Sequence, residues 1–215
     1  MFERIYSPIV GAGTVMDYLG QTGLEAMNGA DILKVAPEMY SSDVEYADTT
    51  IARKLKGIAQ VHLANLGTRI FYCDHGSFDS HANQPAMHST LWKDVSEGID
   101  NFFTDLRQHD AADNVIMLLF SEFGRRVSEN GSAGTDHGAG GLMMALGGRV
   151  RGGLYGTAAN LEYTPDNETL ENRGRDVRHE TDFRSVYARV IDDWLGASSV
   201  NILGADFRNP AIDFV

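Results

Sequence analysis

Apolar positions recur at three- and four-residue spacing in three parts of the chain. Ile51, Leu55, Ile58, His62 and Leu66 mark one helix, capped by Thr49 or Thr50 and stopped by Gly67. Leu91, Val95, Ile99, Phe102 and Leu106 mark a second at near-ideal spacing. Phe183, Val186, Tyr187, Val190, Ile191, Trp194 and Leu195 mark a third, with Asp182 as its cap and Gly196 as its stop. A weaker helical stretch runs from Thr14 to Gly29, interrupted by Gly20 and Gly23. Ile32 to Tyr40, with Pro37 inside it, ends a short helical piece, and Met1 to Gly13 reads as an arm or loop.

Shorter runs lie between these helices. Arg69 to Cys73 is β-prone, and Val115 to Phe120 is apolar without polar alternation, as in a strand buried on both faces of a parallel sheet. Leu142 to Leu146 is a second such run, and Gly147 to Gly156 reads as a turn with a short edge strand. Thr157 to His179 is a polar excursion, and Ala197 to Val215 is a tail that packs over an edge. The order helix, strand, loop, helix, strand, loop predicts an α/β fold: a mostly parallel sheet flanked by helices, with right-handed crossovers. No repeat or linker divides the chain, so residues 1–215 are expected to form a single α/β domain.

Composition narrows the partners. A net charge of −12 with no basic run argues against nucleic acid and anionic membranes, whose phosphates need clustered Lys and Arg. Hydrophobic content of 43% and charged content of 22% are ordinary for a globular protein. No stretch approaches the ~20 apolar residues of a membrane span, and Met1 to Gly11 lacks the pattern of a signal peptide. The one cysteine, Cys73, rules out an internal disulfide and is expected to pack as a small hydrophobe in a strand. His62, beside an apolar stripe, reads as a hydrogen-bonded core or boundary residue.

The chemistry gathers in loops after the apolar runs. Asp79 and His81 are one residue apart, so in extended chain their side chains leave the same side of the backbone. That spacing suits two ligands of one cation. Oxygen with imidazole suits zinc, manganese or iron better than calcium. Asp136-His137 offers another carboxylate and imidazole, and Glu122 a further acid close to Arg125. In a parallel sheet these loops would share the rim beyond the carboxyl ends of the strands, where such folds place their chemistry. Taken singly, each has a plainer reading: Asp136-His137-Gly138 as a turn, Ser121-Glu122 as a cap. Asn130 to Gly134 reads as a flexible loop, or as a nest of N–H groups for an anion without the lysine of a P-loop. No Ser lies in a nucleophile elbow, which speaks against an acyl-transfer triad.

Several segments in order resemble the bacterial family called domain of unknown function 1501. They are Phe78-Asp79-Ser80-His81-Ala82-Asn83-Gln84, Ser121-Glu122-Phe123-Gly124-Arg125-Arg126, Glu129 to Ser132 and Gly134-Thr135-Asp136-His137-Gly138. Gly147 to Gly156 and Asp182 to Gly196 continue the likeness, which covers roughly Thr50 to Phe207. Gly76-Ser77 departs from the Gly-Gly pair usual there. The family is similar in turn to the sulfatase-like, alkaline phosphatase-like superfamily. That resemblance implies an alkaline phosphatase-like partial domain, the carboxyl-terminal part of a larger one, with the nucleophile-bearing segment upstream of this chain.

It also implies a metal-dependent hydrolase of phosphate or sulfate esters, acting on a small-molecule or saccharide ester. Asp79, His81 and His137 match one metal site, and Glu122 stands where another site has a carboxylate. Phe123 replaces an imidazole there and cannot bind metal. The expected ligands of a divalent ion, zinc or manganese, are thus Asp79, His81, Glu122, Asp136 and His137. The expected catalytic residues are Glu122, as ligand or general base, and Arg125, as anion clamp. The alternative is a non-catalytic binding or scaffold protein with a degenerate metal site. Relatives are commonly exported, and a partial sheet is expected to self-associate through its exposed edge.

Overall fold

The computed structural model describes residues 13–215, apart from the side chain of Ile32. The arm expected over Met1 to Gly13 falls, except for Gly13, outside the described residues. The chain forms two compact units: one made of the part up to His75 with Lys93–Ala111, the other of Gly76–Trp92 with Ala112–Val215.

In the first unit, helix α1 spans Val15–Val35 and runs through both early glycines before a 3-10 turn, Ala36–Met39, that carries Pro37 at its start. Pro is tolerated there because the first N–H groups of a helix have no partner within it. Helix α2, Thr50–Leu63, begins at Thr49, whose side chain accepts from the Ala52 N–H. It stops before the expected Gly67 because Asn65 takes the left-handed conformation, with φ of 51°. Its buried face is Ile51, Ala52, Leu55, Ala59 and Val61. Helix α3, Gln84–Gln108, contributes buried Val95, Phe102, Phe103 and Leu106 to this unit. Burying one such large side chain stabilises by ~1.5–3 kcal/mol. Phe71 packs with Leu66 on Ala36, Val61 and Ala64 and meets the half-buried His62 edge to face at 6.4 Å. Burial lowers the His62 pKa, in keeping with a boundary residue.

The strand expected at Arg69 to Cys73 is not formed: Ile70 and Tyr72 are exposed and no described ladder includes them. Cys73 is half-buried outside any strand, and burial pushes its thiol pKa up.

The second unit holds the β-structure. Strand β1, Met117–Leu119, comes from the first apolar run, and β4, Met144–Leu146, from the second. They pair antiparallel, with Met117 opposite Leu146 and Leu119 opposite Met144. Between them β2, Gly124–Arg125, pairs antiparallel with β3, His137–Gly138. Strands β5, Leu170–Glu171, and β6, Asp176–Val177, form a third antiparallel pair in the polar excursion. A single bridge joins Arg126 to Asp176, so β6 lies beside the continuation of β2.

Every ladder among the described residues is thus short and antiparallel. This overturns the expected mostly parallel sheet flanked by helices, and the alkaline phosphatase-like fold class with it. The cause lies in the connection. A parallel pair needs a crossover, usually helical, whereas the chain between β1 and β4 folds back on itself through β2 and β3. The residues of β1 and β4 are only half-buried, and Phe120 is exposed.

Helix α4, Phe183–Arg189, starts as expected at Asp182, whose carboxylate accepts the Arg184 N–H at 2.9 Å. It passes into a π-helical turn, Val190–Trp194, and its buried residues are Ser185 and Ala188 while Phe183 is exposed. Helix α5 spans Ser199–Leu203. The tail packs inward through Ile212 and Phe214. Arg151 holds that tail through the Asp213 carboxylate at 2.6 Å and the Val215 carbonyl. The edge strand expected between Gly147 and Gly156 is absent; its place is taken by one backbone bond, from Arg151 to the Phe214 carbonyl. No described helix is long and apolar enough to cross a membrane.

Candidate metal centre

The site forms where the segment entering α3 meets the loop between β2 and β3. From Phe78 to Ser80 the chain turns so that Asp79 and His81 are exposed while Ser80 between them is buried. The Ser80 hydroxyl lies 2.8 Å from His88 Nε2, and Phe78 packs edge to face on His88 and Trp92. The intervening residue is thereby anchored inward, and its two neighbours are presented together on the outer side.

His137 arrives from β3, directly opposite Arg125 of β2. Its Nε2 lies 2.7 Å from Asp79 Oδ1, and His81 Nε2 lies 3.0 Å from the same oxygen. One donor atom from each of Asp79, His81 and His137 falls within 4.8 Å of the others. Their side chains are 57%, 49% and 47% exposed. The His137 hydrogen bond, with both imidazoles and Arg125 adding to it, holds the Asp79 pKa below the usual carboxylate range.

Asp136, expected as a ligand, stands behind His81 instead, with Oδ1 at 3.4 Å from Nδ1. A carboxylate in that position holds the Nδ1 proton and leaves Nε2 with its lone pair toward a cation. Donation from the Asn130 amide, then from His81, lowers the Asp136 pKa. Glu122 does not join the group: it is exposed, and its carboxylate accepts from the Ser121 hydroxyl at 3.3 Å.

Arg125 lies 3.8 Å from Asp79 Oδ1. Its terminal nitrogens already donate to the Thr135 carbonyl at 2.6 Å and the Phe78 carbonyl at 2.5 Å. It therefore laces together the two segments that carry the ligands, a role not contained in the expected anion clamp. Further stitches join the same segments. The Asn83 and Gln84 N–H groups, entering α3, donate to the Ser132 and Ala133 carbonyls at 3.0 and 2.8 Å. Thr135 donates to the Gln84 side chain at 2.7 Å.

Asn130 is the pivot of this loop. Its Nδ2 donates to the His81 carbonyl and the Asp136 carboxylate, and its Oδ1 accepts from the Ser132 and Gly134 N–H groups. Those two N–H groups are therefore committed within the loop, and the anion-nest reading of Asn130 to Gly134 has no donors left at these positions. Gly134 fits against the backbone of His81: a Cβ there would lie 2.3 Å from the carbonyl carbon. Sequence reasoning missed Phe123 as a contributor. Its ring stacks on His137 at 3.9 Å between centroids and 9° between planes.

A family model described as "Protein of unknown function (DUF1501)" matches residues 19–202. No curated protein and no solved structure matches the chain. The chain belongs to the domain of unknown function 1501 family.

Proposed function

From the site geometry and the motifs of that family, we propose that Asp79, His81 and His137 bind one divalent transition-metal cation, zinc or manganese. We further propose that the protein is a metal-dependent hydrolase of phosphate or sulfate esters, sulfatase-like in its chemistry. The observation that carries this reading is the convergence of one carboxylate and two imidazoles, with a carboxylate behind one of the imidazoles. The donor set fits a borderline-soft divalent ion. Closed sets of four protein ligands mark structural zinc, whereas three ligands open to solvent leave room for water and substrate. Their near half-exposure favours the second kind.

Local charge favours an anionic substrate. Asp79 and Asp136 are offset by Arg125 and Arg126, each 3.8 Å from one of them. A divalent ion added to that balanced set makes the site net positive, which draws in a phosphate or sulfate group. When bound, the ion supplies Lewis acidity toward an ester oxygen. The chain's own part is positional: Asp136 holds the His81 proton at Nδ1, and Arg125 and Asn130 fix the ligand segments.

A second reading, a cation-binding protein without turnover, is favoured by one observation: Glu122, the expected base, stands outside the cluster. Purified chain is expected to take up about one equivalent of Zn²⁺ or Mn²⁺. His81→Ala and His137→Ala should each weaken uptake on the order of 100-fold; unchanged affinity in both removes the site. Turnover of aryl phosphate or aryl sulfate esters by the loaded chain, lost in Asp79→Ala, decides for the hydrolase, and uptake without turnover decides for the second reading.

A further inference from the structure

The two imidazoles of the site are held in different ways. A metal-binding histidine is usually oriented through its second nitrogen, by a carboxylate or carbonyl. His81 follows this rule through Asp136. His137 does not: among the described residues its Nδ1 makes no hydrogen bond, and its polar contact is the one from Nε2 to Asp79. Its ring is nearly half-exposed, so solvent does not confine it.

What confines it is Phe123. The two rings are almost parallel, 9° apart, at 3.9 Å between centroids. Phe123 immediately precedes β2, whose Arg125 is the cross-strand partner of His137, so the ladder brings the two rings to one place. The Arg125 guanidinium carbon lies 4.8 Å from the centre of the Phe123 ring. Arg125 donates to two backbone carbonyls, so the phenyl ring is braced by a side chain tethered at both terminal nitrogens. Ring stacking and cation–π attraction act together here.

We propose that Phe123 is a positioning residue of the cation site: it sets the plane of the His137 imidazole, while Asp79 selects which nitrogen faces inward. This inference rests on the cation reading above. Stacking alone does not choose between the two flips of the ring, which is why both contacts are needed. An aliphatic side chain at 123 keeps apolar area but loses the flat face. His137 then samples other planes, and the third ligand must be ordered each time an ion binds.

The test is Co²⁺ titration of the full chain, read by its visible d–d absorption, for wild type, Phe123→Leu and Phe123→Tyr. Far-UV circular dichroism and melting verify that each variant is folded. Phe123→Leu is expected to bind Co²⁺ about tenfold more weakly with an altered spectrum, and Phe123→Tyr to restore both. A Leu variant matching wild type in affinity and spectrum overturns the inference and leaves the cation site standing. A Tyr variant as impaired as Leu also overturns it, because the loss then follows substitution and not the missing ring. Absence of Co²⁺ binding by wild type removes the cation reading and this inference together.

Discussion

Among the described residues two groups of acids, histidines and aromatic rings, one in each unit, are built on opposite plans. In the first unit Asp105 is fully buried and receives the hydroxyls of Tyr40 at 2.5 Å and Tyr46 at 2.8 Å on one oxygen. Its other oxygen lies 3.4 Å from His109 Nδ1. His109 has a backbone carbonyl 2.8 Å from each ring nitrogen, Asp105 on one side and Ser41 on the other. Only a doubly protonated ring donates to both carbonyls, and the two carbonyls accordingly raise the His109 pKa. Burial, with Asp105 adding to it, pushes the Tyr40 pKa up to about 12 and that of Tyr46 up as well. In the second unit two imidazoles converge on one exposed carboxylate oxygen. The first group turns inward on a fully buried carboxylate; the second leaves donor atoms facing outward. Residue type alone does not separate a structural cluster from a binding one: burial and the direction of the free lone pairs do.

The largest expected effect tests this contrast directly. Asp105→Ala should destabilise by about 1–3 kcal/mol, because it empties a buried position and takes the acceptor from the hydroxyls of Tyr40 and Tyr46. Asp79→Ala, at an exposed position, should change metal-free stability far less. Chemical denaturation of both variants decides it, and equal losses would erase the distinction.

Dependence on pH sharpens the contrast further, because the signs oppose. The Asp105 carbonyl, then that of Ser41, raises the folded pKa of His109. Its contribution is therefore fully present below the unfolded value of about 6.5 and is lost as pH rises through the raised folded value. Asp79 and Asp136 have lowered pKa values. Their contributions are present above an unfolded value of about 3.9 and fade as pH falls through the folded ones. Unfolding free energy measured from acid to alkaline pH should lose its upper slope in His109→Gln and keep its lower one.

The smallest effect concerns Ser77, next to Phe78 at the entrance of the site. Its φ is +72°, the left-handed region that costs an L-residue more than glycine. Ser77→Gly is expected to stabilise by ~0.5–1 kcal/mol without changing cation affinity; thermal melting and metal titration test the two halves. Destabilisation would show that the Ser77 side chain has a positive role.

What the sequence disclosed follows the range of each signal. The α2 and α3 cores are legible because three- and four-residue spacing is local, and Thr49 and Asp182 because a cap acts within a few residues. Asp79 and His81 were legible for the same reason: their shared direction needs only extended chain. The orientation of Val115 to Phe120 was not, since a short apolar run specifies a strand but not the direction of its partner. Asp105 reads as one more charge on an amphipathic helix. Its position, three residues after Phe102 and one before Leu106, sets it at the buried stripe, yet nothing local announces Tyr40 or Tyr46. In sequence Phe123 is only a missing ligand, because stacking on His137 depends on cross-strand register.

Asn130 is followed by Gly131, the dipeptide in which backbone nitrogen most readily attacks the side-chain amide and expels ammonia. In the folded loop that amide is pinned at both ends by its donors and acceptors. Cyclisation must wait until the loop opens. Conversion to aspartate would then replace a donor with a carboxylate facing Asp136, so the damage perpetuates the opening. Deamidation of Asn130 in an aged preparation, read by peptide mass, is therefore expected to run slower in the folded chain than in the denatured one.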